Sequence, residues 1–287
     1  MPATEARAAP RDGGAPPGAG ARAGPGLGTN PAGAAAGSGL RLDRAIVLAG
    51  LFAVTLLSAL VVGGLGSRMG RPDSPLFVPA IGSWSLAQVG VVGLMWSVMM
   101  AAMMTPSTAP MAVAFSNLER RRGGGAPWAA TAAFLAGYLV VWTAFSVAAT
   151  LIQWGLRSAA LMAPGMRTAS PWLGGALLLG AGVFQFSSAK DACLRHCRTP
   201  VGFLLSEWRE GRSGAALMGM RHGAYCVGCC WLLMALMLVV GVMNLAWCAA
   251  LAVLVLAEKA LPGGRRLARA AGVGLAAWGA VLVVGAL

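Results

Sequence analysis

Charged side chains are scarce in this sequence. Only 11% of its 287 residues are charged, Asp and Glu together number nine, and 57% of the residues are apolar, with a mean hydropathy of +0.71. Soluble domains carry about 25% charged residues, so this composition indicates an integral membrane protein. The sequence also lacks a nucleotide-binding loop, a hydrolase triad and an HExxH helix, and we therefore predict that the protein is not an enzyme acting on soluble substrates.

The first forty residues contain almost no large apolar side chains. They are rich in Pro, Gly and Ala, and such a tract cannot bury enough apolar surface to offset the entropy lost on ordering. We predict that residues 1–40 form a disordered cytoplasmic tail. No apolar segment follows within the first thirty residues, which argues against a secretory signal peptide. Residues 41–287 are then the transmembrane domain.

Apolar runs long enough to cross a bilayer follow this tail. They span residues 45–66, 86–104, 128–152, 172–187, 225–257 and 270–287. As one helix, the run 225–257 would extend about 50 Å, against a hydrocarbon core of about 30 Å. We expect a break at 241–244 that divides this run into two short helices. The prediction is an all-α bundle of about seven transmembrane helices.

Basic residues indicate the orientation of these helices. In the seven-helix arrangement, 18 of the 22 Lys and Arg residues fall on the side of the N-terminus and four on the other side. Because Lys and Arg are retained in the cytoplasm, we predict an N-in, C-out topology. The net charge of +13 then reflects topology, and no nucleic-acid binding is predicted. The excess of Arg over Lys, with abundant Ala and Gly, is typical of bacterial genes of high GC content, so we expect a multi-pass protein of the bacterial inner (plasma) membrane.

Five of the six cysteines cluster where one hydrophobic segment ends and the next begins. They are Cys193, Cys197, Cys226, Cys229 and Cys230. The predicted topology places all five on the reducing side of the membrane, where stable disulfides are disfavoured. Clustered thiols in that compartment are expected to hold a metal or to do transient redox work. Simple packing is the third interpretation, and it is the one we favour for Cys248.

The spacing of the second cysteine group suits metal ligation. If Cys226 begins a helix, Cys229 and Cys230 follow at i+3 and i+4 on the same face. Met234 and Met237 continue nearly the same stripe. Four thiolates would close a tetrahedral Zn²⁺ site, whereas thiolates combined with thioethers select Cu(I).

Four polar residues near the cysteines each have two interpretations. His196 and His222 are either further metal ligands or interfacial polar side chains. Glu258 and Lys259 form either an ordinary ion pair at the membrane interface or an intermediate binding position for protons or metal.

A methionine-rich segment forms a second group of candidate metal ligands. Five methionines lie within residues 95–104. Four of these methionines lie on adjacent turns and on one face of the predicted helix: Met99, Met100, Met103 and Met104. Methionine also fills packing gaps, but this density exceeds what packing requires, and the thioethers are expected to pass Cu(I) to the thiolates or complete its coordination shell. Pro106 and Pro110 are expected to end or kink the helix.

Four motifs in this order resemble one protein family. WSVMMAAMMTPSTAP, KDACLRHCRTP, GAYCVGCCWLLM and the EK pair at 258–259 are similar to a bacterial domain-of-unknown-function family of predicted metal-binding integral membrane proteins, some of which are labelled copper chaperones. The resemblance covers residues 45–287. It implies a multi-helix membrane protein that binds metal at its cysteine motifs, here Cys193, Cys197, Cys226, Cys229 and Cys230.

The sequence therefore predicts a membrane protein that handles or delivers a soft metal ion. Cu(I) is the expected ion and Zn²⁺ the alternative. The expected partners are the lipid bilayer and a membrane cuproenzyme or another protein that receives the metal. Two other functions stay open. A membrane thiol–disulfide oxidoreductase would exchange electrons through the cysteine pairs. A structural or assembly subunit would use the metal only to join helices.

Overall fold

The structure is a computed structural model that describes residues 31–79, 84–123, 127–163 and 166–286. Its helices confirm the predicted all-α class, and a short hairpin of β1 (Met162–Ala163) and β2 (Arg167–Thr168) joins two of them. The helices are α1 (Pro31–Met69), α2 (Leu86–Arg121), α3 (Pro127–Ser158), α4 (Pro171–Phe184), α5 (Ser188–Arg198), α6 (Pro200–Glu207), α7 (Gly211–Ala235), α8 (Met237–Val240), α9 (Leu245–Ala260) and α10 (Gly264–Val284). All contacts described below lie within the compact unit Gly39–Leu287. Of the predicted disordered tail, residues 1–30 lie outside the described residues, whereas residues 31–40 are helical and form the first part of α1, so disorder stays a prediction for residues 1–30.

Five described segments are long and apolar enough to cross a membrane: α1, α2, α3, α7 with α8, and α10. The pair α4 and α5, bent by 64° at its junction, is a sixth candidate. The predicted break at 241–244 is confirmed, since α8 ends at Val240 and α9 begins at Leu245. Gly241 in this break has φ 105°, a conformation that glycine adopts at little cost. Membrane placement and the count of seven crossings stay predictions.

The helices fall into two sets that run in opposite directions. Helices α2, α4 and α9 share one direction, and α3, α7 and α10 run the other way. Two residue pairs establish the direction of each helix pair. They are Trp96–Gln153 and Met104–Tyr138 for α2 with α3, Phe134–Gly219 and Tyr138–Cys226 for α3 with α7, Phe184–Trp231 and Gly174–Val239 for α4 with the segment formed by α7 and α8, Met99–Cys248 and Ser107–Lys259 for α2 with α9, and Gly175–Gly279 and Gly182–Gly272 for α4 with α10.

Helix α7 begins earlier than the sequence predicted. We expected a helix beginning near Tyr225, with Cys226 at its first turn, but α7 begins at Gly211. Cys226 therefore lies about 22 Å along the helix axis from the first residue of α7, at 1.5 Å per residue. Its thiol is fully buried. The cysteine motif thus lies inside the helical bundle and not at the beginning of a helix.

Helices α3 and α7 approach each other through glycine. A Cβ atom added at Gly219 would collide with the carbonyl oxygen of Phe134, and one added at Gly137 would collide with that of Ala216. Small residues let helix backbones pack this closely within membranes. The close approach brings Tyr138 of α3 against Cys226 of α7.

Helix α2 continues through both of its prolines. Of the two expectations for Pro106 and Pro110, an end of the helix is wrong, because α2 extends to Arg121 with both prolines inside it, and a kink stays a prediction. Between these prolines, Ser107 faces the interior and is buried. The longer helix therefore supplies a polar side chain next to the cysteines.

Candidate metal centre

Three fully buried cysteines form the centre of the site. Cys226, Cys229 and Cys230 share one face of α7, as their spacing predicted, and each is at most 1% exposed. The thiols of Cys229 and Cys230 donate hydrogen bonds to the carbonyl oxygen of Cys226 at 3.1 and 3.0 Å. The three sulfur atoms are thus held close together by the helix that carries them.

Helix α5 adds two further thiols. The Cys197 side chain is buried in the same core cluster as Cys229, and the Cys193 sulfur packs against Gly228, 2.8 Å from where a Cβ atom would lie. The two cysteine groups therefore converge in the structure, although 28 residues separate Cys197 from Cys226 along the chain. All of these cysteines are free thiols.

A buried ammonium group contacts the cluster. The Lys259 Nζ donates to the Cys226 sulfur at 2.9 Å and to the Ser107 hydroxyl at 3.0 Å. The Tyr138 hydroxyl lies 3.1 Å from the same sulfur and 3.0 Å from the carbonyl oxygen of Met104. A cation and a hydroxyl group thus both lie within hydrogen-bond distance of one sulfur atom.

Lys259 is not the interfacial partner of Glu258 that one interpretation of the sequence proposed. Glu258 instead accepts hydrogen bonds from Lys190 at 2.7 Å and from Gln185 at 3.0 Å. The side chains of Lys190 and Glu258 are each 1% exposed. The pair is a buried connection between α5 and α9.

Sequence reasoning missed Tyr138 and Ser107 as members of the site, and it placed Lys259 beside Glu258 instead of against Cys226. One signal could have marked Lys259. The chain has only two lysines against twenty arginines, and both lysines are buried. A lysine retained in such a composition marks a position where a compact ammonium group is needed.

The two histidines contact aromatic rings. His222 is buried and its ring stacks on those of Phe134 and Tyr138, at centroid distances of 6.0 and 5.7 Å. His196 stacks on Tyr225 at 4.1 Å, and its Nδ1 lies 2.9 Å from the carbonyl oxygen of Ala192. Their role as metal ligands stays a prediction.

The predicted methionines are buried in the same core as the cysteines. They are Met99, Met100, Met103, Met104, Met234 and Met237. A direct sulfur–sulfur contact joins the Cys248 thiol and the Met99 thioether at 3.9 Å. Cys248, which the sequence analysis assigned to packing, thus has a sulfur neighbour.

The described residues contain no group of three or more His, Cys, Asp or Glu side chains arranged to hold a metal ion as they stand. The thiols of Cys229 and Cys230 point at a backbone carbonyl. Metal ligation would therefore require these thiols to lose a proton and rotate away from the carbonyl. The donor set itself, thiols surrounded by thioethers, suits a soft ion.

Comparison with known proteins assigns the family. No curated protein and no solved structure gives a significant match. The family model described as PpoB2, copper chaperone, matches residues 93–282, a range that includes the methionine segment, both cysteine groups and Lys259. This match confirms the resemblance predicted from the sequence motifs, and the chain belongs to this copper chaperone family.

Proposed function

We propose that this protein is a multi-pass copper chaperone of the bacterial inner membrane that holds Cu(I) at the buried thiols of α5 and α7 and delivers it to a membrane cuproenzyme or another metal-accepting partner. The observation that carries this proposal is the contact between the Lys259 ammonium and the Cys226 sulfur inside a cluster of thiols. Membership of the copper chaperone family indicates that the metal is copper. The long apolar helices support the membrane location.

Charge balance favours Cu(I) over Zn²⁺ in this cluster. Two thiolates on Cu(I) leave one net negative charge, which the Lys259 ammonium offsets. Four thiolates on Zn²⁺ leave two negative charges, of which Lys259 offsets only one. Uncompensated charge is costly in a buried site, so the single ammonium matches the copper complex better.

Lys259 and Tyr138 also suggest how the site accepts and releases copper. Both groups lie within hydrogen-bond distance of the Cys226 sulfur, and the Lys259 ammonium can offset the charge of a copper-bound thiolate there. Copper binding requires two thiols to lose a proton, and Cys229 or Cys230 is adjacent to Cys226 on the same helix face. A partner that offers its own thiolates can take the ion by ligand exchange, and the released thiolates then take up protons.

Metal analysis of the purified full-length protein under reducing conditions tests this proposal. Copper, zinc and iron are counted per chain for the wild type, for the triple variant Cys226→Ser, Cys229→Ser and Cys230→Ser, and for Met111→Leu as a control in a separate cluster of α2. We expect copper in the wild type and the control, and a loss of this cluster-bound copper in the triple variant. An unchanged copper content in the triple variant contradicts the proposal.

The two other functions predict different results. Zinc that stays bound and whose removal unfolds the protein would favour a structural subunit. Thiol-dependent turnover without metal would favour an oxidoreductase, although the burial of Cys226 and Cys229 opposes exchange with a protein substrate. We propose no catalytic activity.

A further inference from the structure

A second group of sulfur ligands lies at the other end of α9. Cys248 is one turn from the beginning of this helix, whereas Lys259 is at its end. The separation of eleven positions corresponds to about 16 Å of helix. Cys248, Met99 and Met103 all line one pocket of about 280 Å³ between α1, α2 and α9. This pocket is distinct from the cluster that contacts Lys259.

The geometry of Cys248 and Met99 matches that of two ligands on one metal ion. Two sulfur ligands with bonds of about 2.3 Å lie about 3.8 to 4.0 Å apart in tetrahedral or trigonal coordination. The Cys248 and Met99 sulfur atoms are 3.9 Å apart. Met103 follows Met99 at i+4 on the same helix face and borders the same pocket.

The charge of this group suits an apolar environment. One thiolate and two thioethers around Cu(I) form a neutral complex once the Cys248 proton has left. The pocket contains no charged side chain among its lining residues, so no counter-ion is available and only a neutral complex avoids a large desolvation cost. The thiol-rich cluster, by contrast, has the Lys259 ammonium to offset its charge.

A stripe of sulfur side chains extends from the thiol cluster toward this end of the bundle. Cys226, Cys230, Met234 and Met237 occur at successive turns and are fully buried. The chain then turns at Gly241 and enters α9, where the Cys248 thiol lies 3.8 Å from the Val242 carbonyl oxygen. Soft ligands at successive turns offer Cu(I) positions about 6 Å apart along the axis of α7.

We propose that Cys248, Met99 and Met103 form a second Cu(I) site, and that copper passes between it and the thiol cluster along this stripe. Binding exchanges one proton, since Cu(I) and the Cys248 thiol give a neutral copper thiolate and H⁺. The proposal rests on the copper handling proposed above for the identity of the ion. The position of the second site rests only on its own geometry.

Anaerobic Cu(I) titration of the detergent-purified full chain against a Cu(I) chelator tests the second site. The variants are Cys248→Ser, Met99→Leu, the triple serine variant of the cluster, and Met111→Leu as a buried methionine of α2 in another cluster. We expect two binding events in the wild type and in Met111→Leu. Cys248→Ser should lose one event and keep the other, the triple variant should show the reverse, and Met99→Leu should weaken the second event about tenfold.

The outcomes separate this inference from the proposed function. If Cys248→Ser and Met99→Leu titrate like the wild type while the triple variant loses copper, the second site is wrong and the proposed function stands. If the triple variant titrates like the wild type, the proposed function fails independently. X-ray absorption of the triple variant loaded with one Cu(I) gives a second measurement, for which we expect only sulfur neighbours. Nitrogen or oxygen ligands alone would overturn the second site.

Discussion

Lys259 places a positive charge directly against the sulfur of Cys226. Replacing it by methionine keeps a flexible side chain of similar length but removes the charge that offsets a copper thiolate. We expect Lys259→Met to lower the affinity for Cu(I) by about 10- to 100-fold, the usual effect of losing a group that supports metal ligands. Chelator competition at fixed pH measures this change.

Two further variants define the role of the Lys259 charge. Ser107→Ala removes the other hydrogen-bond partner of Lys259 and should leave the affinity within a fewfold of the wild type. Lys259→Arg keeps the charge and should retain part of the affinity. If Lys259→Met binds copper as tightly as Ser107→Ala, the charge of Lys259 does not support the site.

Lys190 and Glu258 form an ion pair that is almost completely buried. Removing one partner of a buried pair leaves an uncompensated charge, so we expect Lys190→Met to lower the free energy of unfolding by about 3–5 kcal/mol. The double variant Lys190→Met with Glu258→Leu removes both charges and should recover much of this loss. Unfolding of the detergent-solubilised protein followed by circular dichroism measures both effects, and equal losses in the single and double variants would contradict this explanation.

At the level of single residues, the sequence predicted the soft ligands better than their surroundings. Cysteines at i, i+3 and i+4 share a helix face by geometry alone, so the grouping of Cys226, Cys229 and Cys230 followed from spacing. The contact between Lys259 and Cys226 joins residues that are 33 positions apart. It depends on how α7 and α9 pack, which no local pattern encodes.

Helices α5 and α7 contact each other at Gly228, where the Cys193 sulfur occupies the space of a missing side chain. A methyl group at this position would lie 2.8 Å from that sulfur and would push the thiol away. We expect Gly228→Ala to weaken Cu(I) binding about tenfold if Cys193 is a ligand, and Cys193→Ser to have the same effect. The double variant should then show no additional loss.

Gly155→Ala is the matched control for Gly228→Ala. Nothing lies within 4 Å of a Cβ added at Gly155 of α3, so this change should raise helix stability by about 1 kcal/mol and leave copper binding alone. Equal copper affinities in Gly228→Ala and Gly155→Ala would show that Cys193 does not take part.

Among the helices, the hydrophobic runs of the sequence predicted that a helix is present better than they predicted where it begins and ends. The sequence prediction omitted the first half of α7 because this half contains polar residues such as Arg212, Arg221 and His222. A hydropathy pattern does not distinguish a polar helix face that is buried in protein from a loop. His222 is buried against aromatic rings, and Arg221 forms an ion pair with Glu207. Contacts with other helices therefore provide packing and ion-pair partners for these polar residues, which the sequence had suggested lay outside a helix.

Across the whole molecule, the helix directions agree with the predicted crossing order. Parallel packing of α3 with α7 requires the chain to return between them, and α4, which is antiparallel to α7, provides the returning segment. Helix α4 has only 14 residues before it bends into α5, and α9 has only 16 residues, which is why length alone gives five or six spans. Sequence runs and charge bias predicted the order, but they could not predict that one crossing would be short and bent.

We therefore expect the turn near Met243 and the C-terminus to lie outside the cytoplasm, and the turn near Gly263 to lie inside it. Fusions of alkaline phosphatase, which is active only outside, and of green fluorescent protein, which fluoresces only inside, at these three points measure the topology in cells. If α4 and α5 instead enter and leave on one side, each of the three fusions should report the opposite compartment. The thiol cluster would then lie toward the outer face, where oxidation competes with copper binding, so these fusions also decide which compartment supplies the copper.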